Sequence, residues 1–191
     1  MLPLLPYSGM LRPAIMLLAI VLDVAVLYCV RGRSYKRKAE LGSLLLYFLL
    51  LIYATFLSRT VAETYSYRLT VMNSARQAFA LDGNLWELIK GDFSLLHISD
   101  PSSLEGIAIN ILLFVPLGFL IARIWPLHWW QIVLIGTLTS AAIEIVQLVT
   151  KLGMLDVDDW IFNTLGTALG IDLQRLIARV ELRKQKKEKH S

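Results

Sequence analysis

Residues 129–171 read WWQIVLIGTLTSAAIEIVQLVTKLGMLDVDDWIFNTLGTALGI. The first part, 129–150, is apolar and long enough to cross a bilayer, for which about 20 residues suffice. Glu144 is its one charge. Ser140, Glu144 and Gln147 are spaced i, i+4, i+7 and therefore share one helix face. A polar face of this kind cannot look at lipid cheaply and must turn toward other helices. Gly136 and Ser140 form a small-xxx-small pair that lets a neighbouring helix approach closely. The fold class that follows is all-α, a polytopic transmembrane helical bundle.

Four more segments extend the bundle. Spans are expected at 13–30, 41–57, 104–122 and 158–177, besides 129–150. Asp23 is the only charge in the first, and the second has none. The third carries Glu105 at its mouth, Asn110 inside, and Pro116, which removes a backbone hydrogen bond and is expected to kink the helix. The fifth ends among Asp172 and Arg175, and a re-entrant or interfacial helix is the alternative there. The whole 1–191 is read as one membrane domain. No internal repeat or low-complexity segment is visible.

Composition agrees. Of 191 residues, 56% are hydrophobic and 18% charged, and the mean hydropathy is +0.59. Ordinary soluble domains are nearer 45–50% apolar and about 25% charged. Disorder needs the opposite balance. The single cysteine, Cys29, excludes a disulfide scaffold, and a soluble globule of this size has too small a core to hide so many apolar runs.

The formal charge of +4 is unevenly placed. Arg31, Arg33, Lys36, Arg37 and Lys38 follow the first span, Arg123 follows the third, and a basic run from Arg175 to Lys189 closes the chain. Short loops rich in Lys and Arg stay cytoplasmic. The N-terminus is therefore expected outside and the tail, 178–191, inside. Only Arg12 precedes the first apolar run, so that run reads as a span and not as a cleaved signal peptide. The basic tail sets topology or touches anionic lipid. The lipid bilayer is the expected partner, and nothing suggests nucleic acid. The loop 58–103 is expected outside, with Asn84 capping a short helix that carries Trp86. Arg59 and Glu63, four apart, read as a weak surface ion pair.

Depth connects the polar groups. Asn110 and Glu144 each lie about six residues, or about 9 Å, inward from the outer end of their spans. Asp159, Asn163 and Thr167 form a second i, i+4, i+8 stripe, and Asn163 reaches the same level. A polar pocket opening to the outside is expected, bordered by the third, fourth and fifth spans. Asp156, Asp158 and Asp159 also suit the positive end of a helix dipole. The stripes could equally be interhelical hydrogen bonds that hold the bundle. Gly166 and Gly170 form a GxxxG, a weak signal for helix association.

Three ordered blocks, NILLFVPLGFL from Asn110, SAAIEIVQ from Ser140 and DVDDWIFNTLGTALG from Asp156, resemble the VanZ-like family. The resemblance covers 104–171. It implies a small bacterial plasma-membrane protein with a cell-envelope role, the family's namesake being associated with teicoplanin resistance. It places the family's motif residues on Asn110, Pro116, Gly118, Ser140, Glu144, Gln147, Asp156, Asp159, Asn163 and Gly166. Many members carry an Arg just before the first Asp of the last block, where this chain has KLGML at 151–155. Many also have a Pro in the segment before the third span, which NLWEL at Asn84 lacks.

The first functional expectation is binding of a cell-wall lipid precursor or a lipoglycopeptide antibiotic by Asn110, Ser140, Glu144, Gln147, Asp156, Asp159 and Asn163. The second is an intramembrane enzyme acting on a lipid-linked substrate, with Glu144 as the catalytic candidate. No cofactor is expected in the first reading. In the second, Mg²⁺ or Ca²⁺ on the acidic cluster is the option, since hard cations take carboxylate oxygens. No Cys or His joins that cluster, which disfavours zinc. A small lipid transporter is the third, although five spans without an inverted repeat are few for one.

Overall fold

A computed structural model describes residues 36–57, 61–78 and 101–190, with side chains through 188. The expected span 13–30 with its Asp23, the residue Arg59 and the helix behind Asn84 lie outside the described residues. Helix α1 runs Lys36–Ile52 and widens into one π turn over Tyr53–Leu57. A two-residue strand β1, Tyr67–Arg68, and a short helix α2, Asn73–Ala78, follow. Helix α3 is Pro101–Ile124 and α4 is Trp129–Thr150. Strand β2, Leu155–Asp156, leads into α5, Val157–His190.

Three helical stretches, Lys36–Leu57, Pro101–Ile124 and Trp129–Thr150, are long and apolar enough to cross a membrane. The fourth expected span coincides with α4, and the third sits inside a longer α3. The 158–177 segment is the first part of α5, whose 34 residues extend about 51 Å, well beyond a hydrocarbon core of about 30 Å. Its outer face shows Leu165, Leu169, Leu173 and Leu176. This helix is not among the three stretches apolar enough to cross, and its last part, 178–190, is the basic tail. Exposed leucines on α1 and α4, such as Leu45, Leu49, Leu134 and Leu138, complete an apolar exterior suited to lipid.

The core centres on α3. Phe114 and Leu117 are fully buried, and Leu44, Tyr47 and Leu51 of α1 pack with them. The Tyr47 hydroxyl donates to the Leu113 carbonyl at 2.6 Å, so α1 is pinned to α3 by a hydrogen bond that no lipid could supply. Helix α3 continues past the buried Pro116 to Ile124 without a break.

Helix α5 lies directly on the α3 backbone. A Cβ built on Gly166 would sit 2.2 Å from the Ile111 carbonyl oxygen, and one on Gly170 2.1 Å from that of Val115. From the opposite side, a Cβ on Gly118 would meet the Thr167 carbonyl oxygen at 2.0 Å. Gly136 of α4 faces the Thr167 side chain in the same way. The GxxxG therefore serves packing within this chain, and Thr167 is the node where α3, α4 and α5 meet.

Contacts at the two ends give the direction of each helix. At one end Glu40 of α1 meets Arg123 of α3, 2.9 Å apart and both largely buried. At the other, the Gln147 amide of α4 meets the Thr55 carbonyl, and Asn110 of α3 meets Asp159 of α5. Leu57, Pro101, Thr150 and Val157 thus gather opposite the end toward which the basic part of α5 runs.

Candidate functional site

The segment 61–78 is tied down at the Leu57–Val157 end. Helix α4 stops at Lys151, which adopts a left-handed φ of 57° and whose carbonyl accepts from the Ala62 N–H at 2.8 Å. The Lys151 ammonium donates to the Glu63 carbonyl and lies 4.6 Å from the centre of the Tyr65 ring. Strands β1 and β2 then pair in parallel, Tyr67 with Leu155 and Arg68 with Asp156. The Arg68 guanidinium reaches the Asp156 carboxylate at 3.2 Å. Burial pushes the Asp156 carboxyl above its ordinary value, opposed by the Asp158 N–H and the Arg68 charge.

Asp158 completes the attachment. It is fully buried, and its two carboxylate oxygens accept from the Met72 and Ser74 amides at 2.5 and 2.6 Å. Those amides open α2, so Asp158 caps that helix from a position more than 80 residues away in the chain. This cap comes in addition to its place in the first turn of its own helix.

A cavity of about 270 Å³ lies among the helices at this end. Its polar lining comes from Asn110, Glu144, Gln147, Asp159 and Asn163, which are five of the seven residues expected to bind ligand. Leu113, Ile109 and Ile143 supply apolar wall. Ala54 and Thr55 also line it, so α1 forms a fourth side beyond the three spans expected. Ser102, Glu105 and Gly106 of the first α3 turns stand among its lining residues, and all three are exposed.

Ser140 and Asp156 are not in the lining. Ser140 is fully buried beneath the cavity floor, 2.9 Å from the Asn163 amide nitrogen. Asp156 turns its carboxylate to Arg68, while its backbone N–H donates to Glu144 Oε2 at 2.9 Å. Both act by holding residues that do face the cavity. Asp172, the least secure of the intramembrane carboxylates, is exposed and pairs with Arg175 one turn on.

The amides are held in defined orientations. Gln147 Nε2 donates to the Thr55 carbonyl at 3.1 Å. A carbonyl can only accept, so this bond fixes which end of the Gln147 amide is oxygen. The π turn at Tyr53–Leu57 is what brings that carbonyl into reach, with Thr55 Oγ1 donating back to Leu51 at 2.7 Å. Gln147 Oε1 and Asn163 Oδ1 are then buried with no hydrogen-bond partner. The lining has acids at three places, and no Lys, Arg or His among the described residues. Among the described residues, no three of His, Cys, Asp and Glu come together as a metal-holding group.

The residues that sequence reasoning missed are Thr55, Arg68 and Asp158 in its capping role. Each acts across 84 or more positions, where no periodicity can reach. Compared with known proteins, the chain matches the family model described as VanZ/LLP1 over residues 44–178. No curated protein and no solved structure matches it.

Proposed function

The chain belongs to the VanZ/LLP1 family, and we propose that it is a bacterial plasma-membrane protein whose cavity binds the polar part of an envelope lipid or of a lipoglycopeptide antibiotic. The observation that carries this reading is the cavity itself. Two carboxylates and three amides from membrane-length helices converge on a space of about 270 Å³, inside an exterior of leucines. If bundle packing were the whole purpose of these groups, their hydrogen-bonding capacity would be saturated, because buried polar groups in a bilayer are costly unless paired. Two buried acceptors remain without partners.

The positive-inside rule assigns the basic tail to the cytoplasm, and the cavity stands at the opposite end of the bundle. It therefore opens toward the outer leaflet. Its volume is slightly below the usual range for drug-sized ligands, about 300–1,000 Å³. It takes a head group or one appendage of an antibiotic, with the remainder left in the leaflet or outside. Glu144 is rigidly held by the Asp156 N–H, a preorganised acceptor that suits recognition.

The test is lipoglycopeptide susceptibility in a strain whose susceptibility the intact protein alters. Glu144→Gln and Asn163→Ala, expressed at wild-type levels in the membrane, are expected to abolish that alteration. Unchanged susceptibility with both variants sinks the binding reading.

A further inference from the structure

We infer that the segment 61–71 is a lipid-docking edge, which seats Tyr65, Tyr67, Leu69 and Val71 in the head-group boundary of the bilayer at the Leu57–Val157 end of the bundle. This edge acts whatever the cavity holds. Polarity, level and residue order all lead there.

The polarity of the segment is turned inside out. In an extended chain successive side chains point to opposite sides. The Arg68 side chain turns inward to the buried Asp156 carboxylate, and the backbone beside it pairs with β2 through the Leu155 N–H and the Ser66 carbonyl, 3.2 Å apart. Tyr65, Tyr67 and Leu69 alternate with these inward positions, and Val71 continues their row. The four are 55–69% exposed. A half-buried strand facing water shows the reverse, apolar in and polar out. A contiguous outward row of large apolar side chains marks a surface that meets an apolar medium or a partner.

The level selects the bilayer. Asn163 of α5 meets Ser140 of α4. Ser140 lies about ten residues, or about 15 Å, from Thr150, and Asn163 about six residues, or about 9 Å, from Val157. Val157 therefore enters about 6 Å inward of Thr150. The segment spans this step, with Ala62 bonded to Lys151 at its upper edge and Met72 to Asp158 at its lower. The exposed Trp160 stands one turn further in, and Trp favours the membrane–water boundary. Below it begin the exposed leucines of α5, with Leu165 and Leu169. The row is thus continuous with the apolar exterior of the bundle.

The order of residues follows the gradient of the boundary. Tyr65 and Tyr67 are nearer the Lys151 edge, where a ring meets lipid and its hydroxyl meets water or head groups. The Lys151 ammonium lies 4.6 Å from the centre of the Tyr65 ring, an arrangement that keeps the charge at the head groups over an apolar surface. Leu69 and Val71 are nearer Asp158, on the apolar side.

The experiment uses the full chain in a Cys29→Ser background, reconstituted in phosphatidylcholine bilayers. A nitroxide is attached at Tyr67→Cys, Leu69→Cys or Val71→Cys, one at a time, and at Lys186→Cys in the tail as the aqueous reference. Power-saturation EPR reads collisions with oxygen, which concentrates in lipid, and with a neutral nickel chelate, which stays in water. Nickel collisions at the three sites are expected about tenfold below those in the tail, a ratio that taking roughly 60 Å² of apolar surface out of water supplies. Oxygen collisions are expected to equal or exceed those in the tail and to rise from 67 to 71. Nickel collisions equal to those in the tail would place the segment in water and overturn the inference. Loss of both collision partners would show protein over the row, from elsewhere in the chain or from a second copy, and would overturn it as well. The wild-type chain gives a check free of variants. A phosphatidylcholine with a diazirine near the glycerol end of its acyl chain should leave carbene adducts on Tyr65 or Tyr67. An unmodified 61–71 in a sample whose α5 leucines are labelled contradicts the docking.

Discussion

Replacing Asp158 by Ala should release the segment 61–78 from the bundle without unfolding the helices. The side chain contributes two hydrogen bonds, to the Met72 and Ser74 amides, at 2.5 and 2.6 Å. Each runs from a backbone N–H to a side-chain carboxyl oxygen at short distance, a bond at the strong end of the range, about 1.5–3 kcal/mol. Their sum is about 3–6 kcal/mol, and the two amides are only part-buried, so water recovers some of it once the carboxylate is gone. A loss of about 2–4 kcal/mol in local closing remains, which is about a 30- to 1,000-fold rise in the open population. The remaining links, the Arg68–Asp156 pair and the bonds around Lys151, limit the release to this segment. Hydrogen exchange of the protein in lipid nanodiscs reads it directly. Peptides covering 61–78 should lose protection by that factor, while peptides from α3 and α4 should not change. Unaltered protection of 61–78 would show that Asp158 is not the latch. Equal loss throughout would show that it supports the bundle instead.

Gly118→Ala and Gly170→Ala should each prevent α3 and α5 from closing, because the new methyl would sit 2.0 or 2.1 Å from a backbone oxygen. The cost is at the upper end of overpacking, about 3 kcal/mol or more, while Gly42→Ala, with open space around it, should be neutral in the same detergent thermal-unfolding assay. Glu40→Gln should lower stability by about 2–4 kcal/mol by stranding the largely buried Arg123, and Glu40→Leu combined with Arg123→Met should recover most of it in that assay. Asp156 holds a proton in the folded state at pH values where its unfolded counterpart has released it, since burial raises its pKa. Its contribution to stability therefore falls as pH rises from about the model-peptide carboxylate value of 3.9 through the raised one. Arg68→Met should raise that pKa further, visible as a carboxyl infrared band persisting to higher pH than in the wild type.

The membrane-length helices were legible because their signal is local. Length and apolarity alone place 129–150, and the i, i+4, i+7 spacing of Ser140, Glu144 and Gln147 puts them on one buried side. Counting residues from the span ends predicts Asn110, Glu144 and Asn163 at one level, and all three line the cavity. The same counting says nothing about which neighbour supplies the last wall. Ala54 and Thr55 sit in an apolar stretch with no polar periodicity, and only the π turn exposes the Thr55 carbonyl to Gln147. Arg68 and the loop around Met72 carry no periodic signal, because their partners lie at Asp156 and Asp158 across the whole of α3 and α4. Ser140 lies on the polar stripe of α4 and Asp156 in the acidic cluster before α5, yet both hold other residues in place, a distinction of one hydrogen bond each that spacing cannot make.

Everything proposed for the cavity requires that it be reached by water from outside the cell. Gly106 lines it, and a side chain added there meets nothing within 4 Å. In a Cys29→Ser background, Gly106→Cys should react with a membrane-impermeant maleimide on intact cells, whereas Lys186→Cys in the tail should react only after permeabilisation. The opposite pattern, with the tail labelled from outside and Gly106→Cys protected until the membrane is opened, would invert the protein in the bilayer and place the cavity where no outer-leaflet ligand could enter.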